Sequence, residues 1–285
     1  MRRYLSFHNE DVMKLLRLAL PLLALCVLLA APLAEAGKLE QIKARGELTV
    51  GVKDAEAPFG FIEEKTNQLE GFDIDVAHYV AQRLDVKLKF KPLAAADRLP
   101  ALIQGAVDMV AASLEHTLQR EDVIDFSLTY FIDGLQLLTH KDSTINGLAD
   151  LAGKKVAVVK GSGLDKLLKS KQPHLIPLFY EGLPQAFMAV KRGEAAAVCS
   201  STVSLLGLKH SDDKPDAWSI SGEFIEPIHY GLGLPENDSD FRDAVNKALA
   251  DMWKTGEYEK TYNKWFGVGA RYPLPLNWKM ELWSN

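Results

Sequence analysis

Cysteine is almost missing from this chain: Cys26 and Cys199 are the only two in 285 residues. Cys26 falls in an N-terminal leader, which leaves Cys199 alone in the mature chain with no internal disulfide. One thiol in an Ala/Val run reads as a small core residue, and it gives no thiolate cluster. The seven histidines show no metal-ligand spacing, so no metal and no cofactor is expected. An excess of basic residues is also missing. The net charge of −5 and pI near 5.8 argue against a nucleic-acid partner. No repeat or low-complexity tract is visible. What remains is an ordinary globular composition, 47% hydrophobic and 25% charged, long enough for one large or two smaller domains.

The one long apolar run is Leu18 to Leu33, broken by Pro21 and Pro32. The basic stretch Met13-Lys14-Leu15-Leu16-Arg17 precedes it, and Ala34-Glu35-Ala36 follows as an A-x-A cleavage site before Gly37. Residues 1–36 therefore read as a cleavable signal peptide, with Met13 an alternative start. A membrane anchor is the competing reading, but the run is short and ends in small residues. Leu25 is too large for a lipoprotein signal ahead of Cys26. The expected location is periplasmic.

Leu48–Val52, Val86–Phe90 and Val107–Ala111 read as strands, with a helix after Gly71 and another over Asp97–Gly105. Asp54 to Phe61 reads as a loop and Thr66 to Gly71 as a turn. In the first helix Asp73 is placed as the N-cap, and Ile74, Ala77, Ala81 and Leu84 form an apolar stripe. The pattern restarts with strand Lys155–Val159, the Gly161-Ser162-Gly163 loop, helices over 164–170 and 184–192, and strand Ala195–Val198. Phe241 to Phe266 reads as helix, broken at Gly256. Two β-α-β units imply an α/β fold with mostly parallel sheets flanked by helices.

The motif Gly71-Phe72-Asp73-Ile74-Asp75-Val76 resembles the signature of the family 3 extracellular solute-binding proteins, the amino-acid receptors of bacterial ABC importers. Further pieces follow in order: Asp97-Arg98-Leu99-Pro100-Ala101-Leu102 with Gly105 and Asp108, Ala112-Ser113 to Arg120, and Asp125-Phe126-Ser127 before Tyr130. Leu148 to Val156 with Gly161-Ser162, Gly256 to Lys260 and Lys264-Trp265-Phe266 complete the set. The resemblance implies a two-lobed type II periplasmic-binding fold with two hinge crossings, at Gly134–Thr139 and Tyr230–Leu234. Residues 37–135 plus 230–285 would form lobe 1, and 136–229 lobe 2.

It also implies a ligand site. Arg120 would hold a ligand carboxylate, since a guanidinium fork can make two parallel charge-assisted bonds. The alternative is a surface arginine paired with Glu121 or Asp122. Gly161, Ser162 and Gly163 would close on the same carboxylate from the second lobe, although such a triplet can be only a turn. Arg98 would reach a side-chain carboxylate, or else form a structural pair with Asp97 or Asp108. Ser113, Asp54 and Phe59 would lie on the cleft wall, with core packing the alternative for Phe59. Two departures bear on the ligand. Ser201 stands where relatives place an aspartate for the α-ammonium, and Glu115 stands where they place serine or threonine. Either Glu115 supplies the ammonium partner, or the ligand has no ammonium and Glu115 pairs with Arg98 or Arg120.

The resemblance thus implies a monomeric, non-enzymatic binding protein. It would capture a small carboxylate-bearing solute, a polar or acidic amino acid first, and deliver it to an inner-membrane ABC permease. The alternatives are a binder of a non-amino carboxylic acid, a dehydratase-like enzyme using Glu115 or His116, and an accessory or sensor protein on the same fold.

Overall fold

Residues 37–282 are described by the computed structural model. The leader, its cleavage site, Cys26 and Met13 lie outside the described residues. Helix α1 (Lys38–Arg45) leads into strand β1 (Glu47–Val52). A small meander follows, made of β2 (Ala55–Glu56), β3 (Gly60–Glu63) and β4 (Gln68–Glu70), where the sequence reads as loop and turn. Strands this short carry too little alternation to be seen in a sequence. Helix α2 (Phe72–Leu84), strand β5 (Lys87–Pro92), helix α3 (Arg98–Ile103) and strand β6 (Met109–Ala111) come next. The single-turn helix α4 (Leu118–Glu121) precedes β7 (Asp125–His140), the longest strand.

The second unit runs β8 (Lys155–Val159), α5 (Leu164–Lys171), β9 (Ile176–Tyr180), α6 (Leu183–Lys191), β10 (Ala197–Ser201), α7 (Thr202–Ser211) and β11 (Trp218–Ser221). The chain then returns through β12 (Pro227–Leu234) to helices α8 (Ser239–Lys254) and α9 (Glu257–Phe266). Gly256, at φ +81°, breaks the last two helices apart where the sequence reads a break.

Among the described residues nine strands form one sheet, eight of them along the path β5-β1-β6-β12-β7-β10-β8-β9 and β11 beside β7. Pairing of β1 with β5 and β6, and of β8 with β9 and β10, is parallel. The connecting strands β7 and β12 add antiparallel pairs, so each half is mixed rather than mostly parallel. This is the two-lobed type II arrangement. β7 changes partner from β12 to β10 at Gly134–Leu135. β12 pairs with β7 from Pro227 to Leu234 and with β6 at Gly233.

The stripe on α2 is buried as its spacing requires: Ile74, Ala77, Val80, Ala81 and Leu84 all face the core. Asp73 is not the N-cap. Gly71 takes that place at φ +144°, where a Cβ would lie 2.1 Å from the Phe59 carbonyl oxygen. Only glycine permits that approach. The helix therefore starts two residues earlier than expected, and Asp73 turns inward. Asp75 ties the helix to α9 by accepting from Lys264 Nζ and Trp265 Nε1, both at 2.7 Å.

Candidate functional site

Parallel strands leave their carboxyl ends on one edge, and ligands bind at that edge. Here Lys53 follows β1, Ser113 follows β6, Ser162 follows β8 and Ser201 ends β10. All four line one cavity of 80 Å³ between the two halves of the sheet, together with Glu56, Arg98, Glu115, Arg120 and Tyr230. An adjoining chamber of 290 Å³ shares Lys53, Glu56, Arg98 and Val159 with it and reaches the start of α6. Together they approach the size of small-molecule sites, from roughly 300 Å³ upward.

Arg120 sits on α4, which Thr117 caps by accepting from the Arg120 amide. Its guanidinium donates from Nη1 to the Glu115 carbonyl (2.6 Å) and from Nη2 to the Ser162 carbonyl (3.0 Å), so one side chain touches both halves. The Glu115 carboxylate stands 3.8 Å from it. Neither Glu121 nor Asp122 is its partner; Glu121 pairs with His116 instead, whose ring stacks on Phe126. Burial raises the Glu115 carboxyl above its ordinary value against the pull of Arg120.

Arg98 is buried. It donates to the Ala95 carbonyl (3.2 Å) and the Ala112 carbonyl (2.7 Å), not to Asp97 or Asp108. Asp108 is taken by Arg45, by Lys38 at 3.7 Å and by the Thr49 amide. Burial, and then the charge of Arg120 beside it, pull the Arg98 guanidinium down to about 10.

Of the glycine loop, only Ser162 lines the inner cavity. Gly161 and Gly163 lie on an outer groove between α4 and α5. Gly161, at φ +76°, presses on Ala96 of the other half: a Cβ would lie 2.6 Å from the Ala96 Cα. Ser162 Oγ donates to the Val159 carbonyl at 2.7 Å. Ser201 is buried and caps α7, accepting from the Ser204 amide. Ser113 carries φ +45°, unusual for a residue with a Cβ, and its hydroxyl donates to Asp73.

Two residues expected on the cleft wall stand apart from the cavity around Arg120. Phe59 is fully buried among Phe131, Tyr230 and Phe266 and lines neither of the two chambers, because a ring gains more from apolar packing than from a polar wall. Asp54 is exposed at the outer mouth, lining the outer chambers but not the cavity around Arg120.

The acid on that hairpin that points inward is Glu56, which sequence reasoning missed. Its Oε1 accepts from Lys53 Nζ (2.5 Å) and, across the cleft, from Ser204 Oγ (2.7 Å). Burial works against the Glu56 charge, but Lys53 and these hydrogen bonds outweigh it and hold the carboxyl below its ordinary value. A single acid between Ala55 and Ala57, three residues after Lys53, is the one signal that could have marked it. Nearby, α7 lies so close to the hairpin that a Cβ on Gly207 would meet the Ala57 carbonyl oxygen at 2.0 Å. The two halves are therefore packed together around the cavity. Among the described residues no three His, Cys, Asp or Glu side chains gather in a way that could hold a metal ion.

The model of the bacterial extracellular solute-binding proteins, family 3, matches residues 48–268. The ABC transporter glutamine-binding protein GlnH of Bacillus subtilis (strain 168) is 31% identical over 80% of this chain and 84% of its own length. An L-glutamate/L-aspartate-binding protein of Pseudomonas aeruginosa is 28% identical over 87% and 89%. Among solved structures, an ancestral arginine-binding protein bound to arginine superposes with a TM-score of 0.74 at 35% identity, covering 78% of this chain and 99% of that one. The similar proteins named here are binding proteins. With a match spanning most of its length, two halves of mixed sheet and a polar cavity where they meet, this chain belongs to the family 3 bacterial extracellular solute-binding proteins.

Proposed function

We propose that this protein is the exported, periplasmic receptor of an amino-acid ABC importer. It captures an acidic amino acid by hinge closure of lobe 1 (37–135 with 230–285) on lobe 2 (136–229), and hands it to an inner-membrane permease. The observation that carries the reading is Arg120, a half-buried guanidinium that meets both halves of the molecule in one polar cavity. A ligand carboxylate on Arg120 and Ser162 would gain contacts to both halves only when they close, which is what drives closure.

The ligand's charge follows from the lining. Lys53, Arg98 and Arg120 set three cations against the two carboxylates of Glu56 and Glu115. An excess of one positive charge suits a solute carrying two carboxylates and one ammonium. Glu56 is already engaged by Lys53 and Ser204, whereas Glu115 has only a loose pair at 3.8 Å. Glu115 is thus the carboxylate with capacity for an ammonium, and it lies beside Arg120 as an α-amino acid requires. The side-chain carboxylate then extends toward Arg98 and Lys53. The name of the Pseudomonas relative, a glutamate and aspartate binder, agrees with this choice.

Calorimetry on wild type and Glu115→Gln tests it. L-Glutamate should lose at least a hundred-fold in affinity in the variant, because a buried ammonium left without its counter-charge is costly. 2-Oxoglutarate, which has no ammonium, should not weaken. Equal affinity of both proteins for L-glutamate would contradict the assignment.

A further inference from the structure

Asp73 belongs to no cavity, yet it grips the wall of one. It is 0% exposed on α2, and its Oδ2 accepts from both the Ser113 amide (2.7 Å) and the Ser113 hydroxyl (2.9 Å). Oδ1 accepts from the Tyr130 hydroxyl at 2.7 Å, and the Tyr130 carbonyl is itself fixed by the Tyr258 hydroxyl. From other sides Arg98 Nη1 donates to the Ala112 carbonyl and the Gly231 amide to the Leu114 carbonyl. The chain leaving β6 is therefore pinned at three successive residues, and the middle one is Ser113 at φ +45°. Left-handed backbone is unfavourable for any residue with a Cβ, so something must hold it there. Glycine would adopt it freely, but the sequence has serine. A serine adds the hydroxyl that gives Asp73 its second bond.

We propose that Asp73 is a positioning residue of the ligand site: from behind the wall it holds Ser113 in the left-handed conformation and thereby sets where Ser113 and Glu115 face the cleft, a role that rests on the cleft being the ligand site. Sequence position hides this role, since an aspartate one residue into a helix reads as a cap. The charged and titratable groups that face Asp73 are Lys53 from the β1–β2 connection, Arg98 from α3, Tyr130 from β7 and Tyr258 from α9. Burial raises the Asp73 carboxyl to about 6, with the Tyr130 and Ser113 bonds and Lys53 acting in the opposite direction. The clamp therefore loosens when the carboxylate gains a proton in mildly acidic solution, and the site loosens with it.

The experiment uses wild type, Asp73→Asn, Ser113→Gly and the double variant, with L-glutamate and L-glutamine as probes and the Ser113 amide followed by 15N NMR. In wild type the Ser113 amide should titrate between about pH 5 and 7, and in Asp73→Asn it should not. Asp73→Asn should bind the probe about ten-fold more weakly at pH 7.5 and lose the wild-type decline in affinity below pH 6. In the Ser113→Gly background, where the conformation needs no holding, the same substitution should cost about three-fold or less. Melting each variant first separates a positioning effect from misfolding. A folded Asp73→Asn with wild-type affinity and wild-type pH profile would overturn the positioning role, and a Ser113 amide indifferent to both pH and the substitution would overturn the clamp. If wild type binds neither probe, the positioning role falls with the ligand site, and the amide titration tells that failure apart from a failure of the clamp.

Discussion

A methyl group on Gly207 should separate folding from binding. Gly207 lies in the middle of α7, where alanine favours the helix by about 0.5–1 kcal/mol over glycine. In the structure, however, the added Cβ would sit 2.0 Å from the Ala57 carbonyl oxygen, against an ordinary contact of 3.4 Å or more. The obstacle is backbone, held in the β2–β3 hairpin, so it cannot rotate away. The hairpin and α7 must part by about 1.4 Å, the difference between those two distances. Overpacking of this kind costs about 1–3 kcal/mol. The closed population falls by the matching factor, roughly five- to 150-fold, and apparent affinity falls with it. Calorimetry should therefore show weaker binding by Gly207→Ala, while the melting temperature without ligand is unchanged or raised. Wild-type affinity in Gly207→Ala would refute the reasoning, because it would mean that the hairpin does not meet α7 in the bound state.

Three further outcomes follow. Arg120→Ala should lose roughly 2–5 kcal/mol of binding free energy, thirty-fold or more in affinity, with Arg120→Lys between it and wild type; titration calorimetry measures both. Asp73 should make stability fall as pH rises. Its folded-state carboxyl lies at about 6, above the ordinary 3.8, so its contribution is fully present below about pH 4 and lost as pH rises through 6. The loss amounts to roughly 3 kcal/mol relative to Asp73→Asn, read by urea melts at pH 4 and pH 7.5. Cys199 is fully buried in β10 and its thiol is pushed up to about 12, so a thiol reagent such as Ellman's reagent should label it only on unfolding.

The parts of the fold legible in the sequence were those with a strong local period. The α2 stripe, the Val-rich β8 and the glycine break at 256 each depend on neighbours within a turn or two. The hairpin carrying Glu56 was not legible, because its strands are two to four residues long and gain their meaning from stacking over the cleft. Helix α7 was missed as well: Thr202-Val203-Ser204 is a poor helix start by propensity, and burial against β7 and β10 overrides it. Arg120 could be singled out from flanking motifs. The partners of Arg98 and Asp108 could not: Arg98 is held by backbone carbonyls, which carry no side-chain signal, and Asp108 by residues some 60 or more positions away. Asp73 is placed on the right helix and given the wrong task, because the two-residue shift of the cap to Gly71 decides whether its carboxylate caps its own helix or holds Ser113.

The central claim is that a carboxylate-bearing amino acid binds between the two halves at Arg120. The most direct measurement is a thermal-shift panel on the mature protein, refolded to remove carried-over ligand and run beside Arg120→Ala. It would contain the amino acids, dicarboxylates and 2-oxo acids. A ligand at a hundred times its Kd stabilises by about 2.7 kcal/mol, which for a chain of this size is roughly 5–10 °C. The account predicts such a shift with L-glutamate or L-aspartate in wild type and its loss in Arg120→Ala. The same shift in both proteins, or none with any carboxylate in wild type, would contradict it.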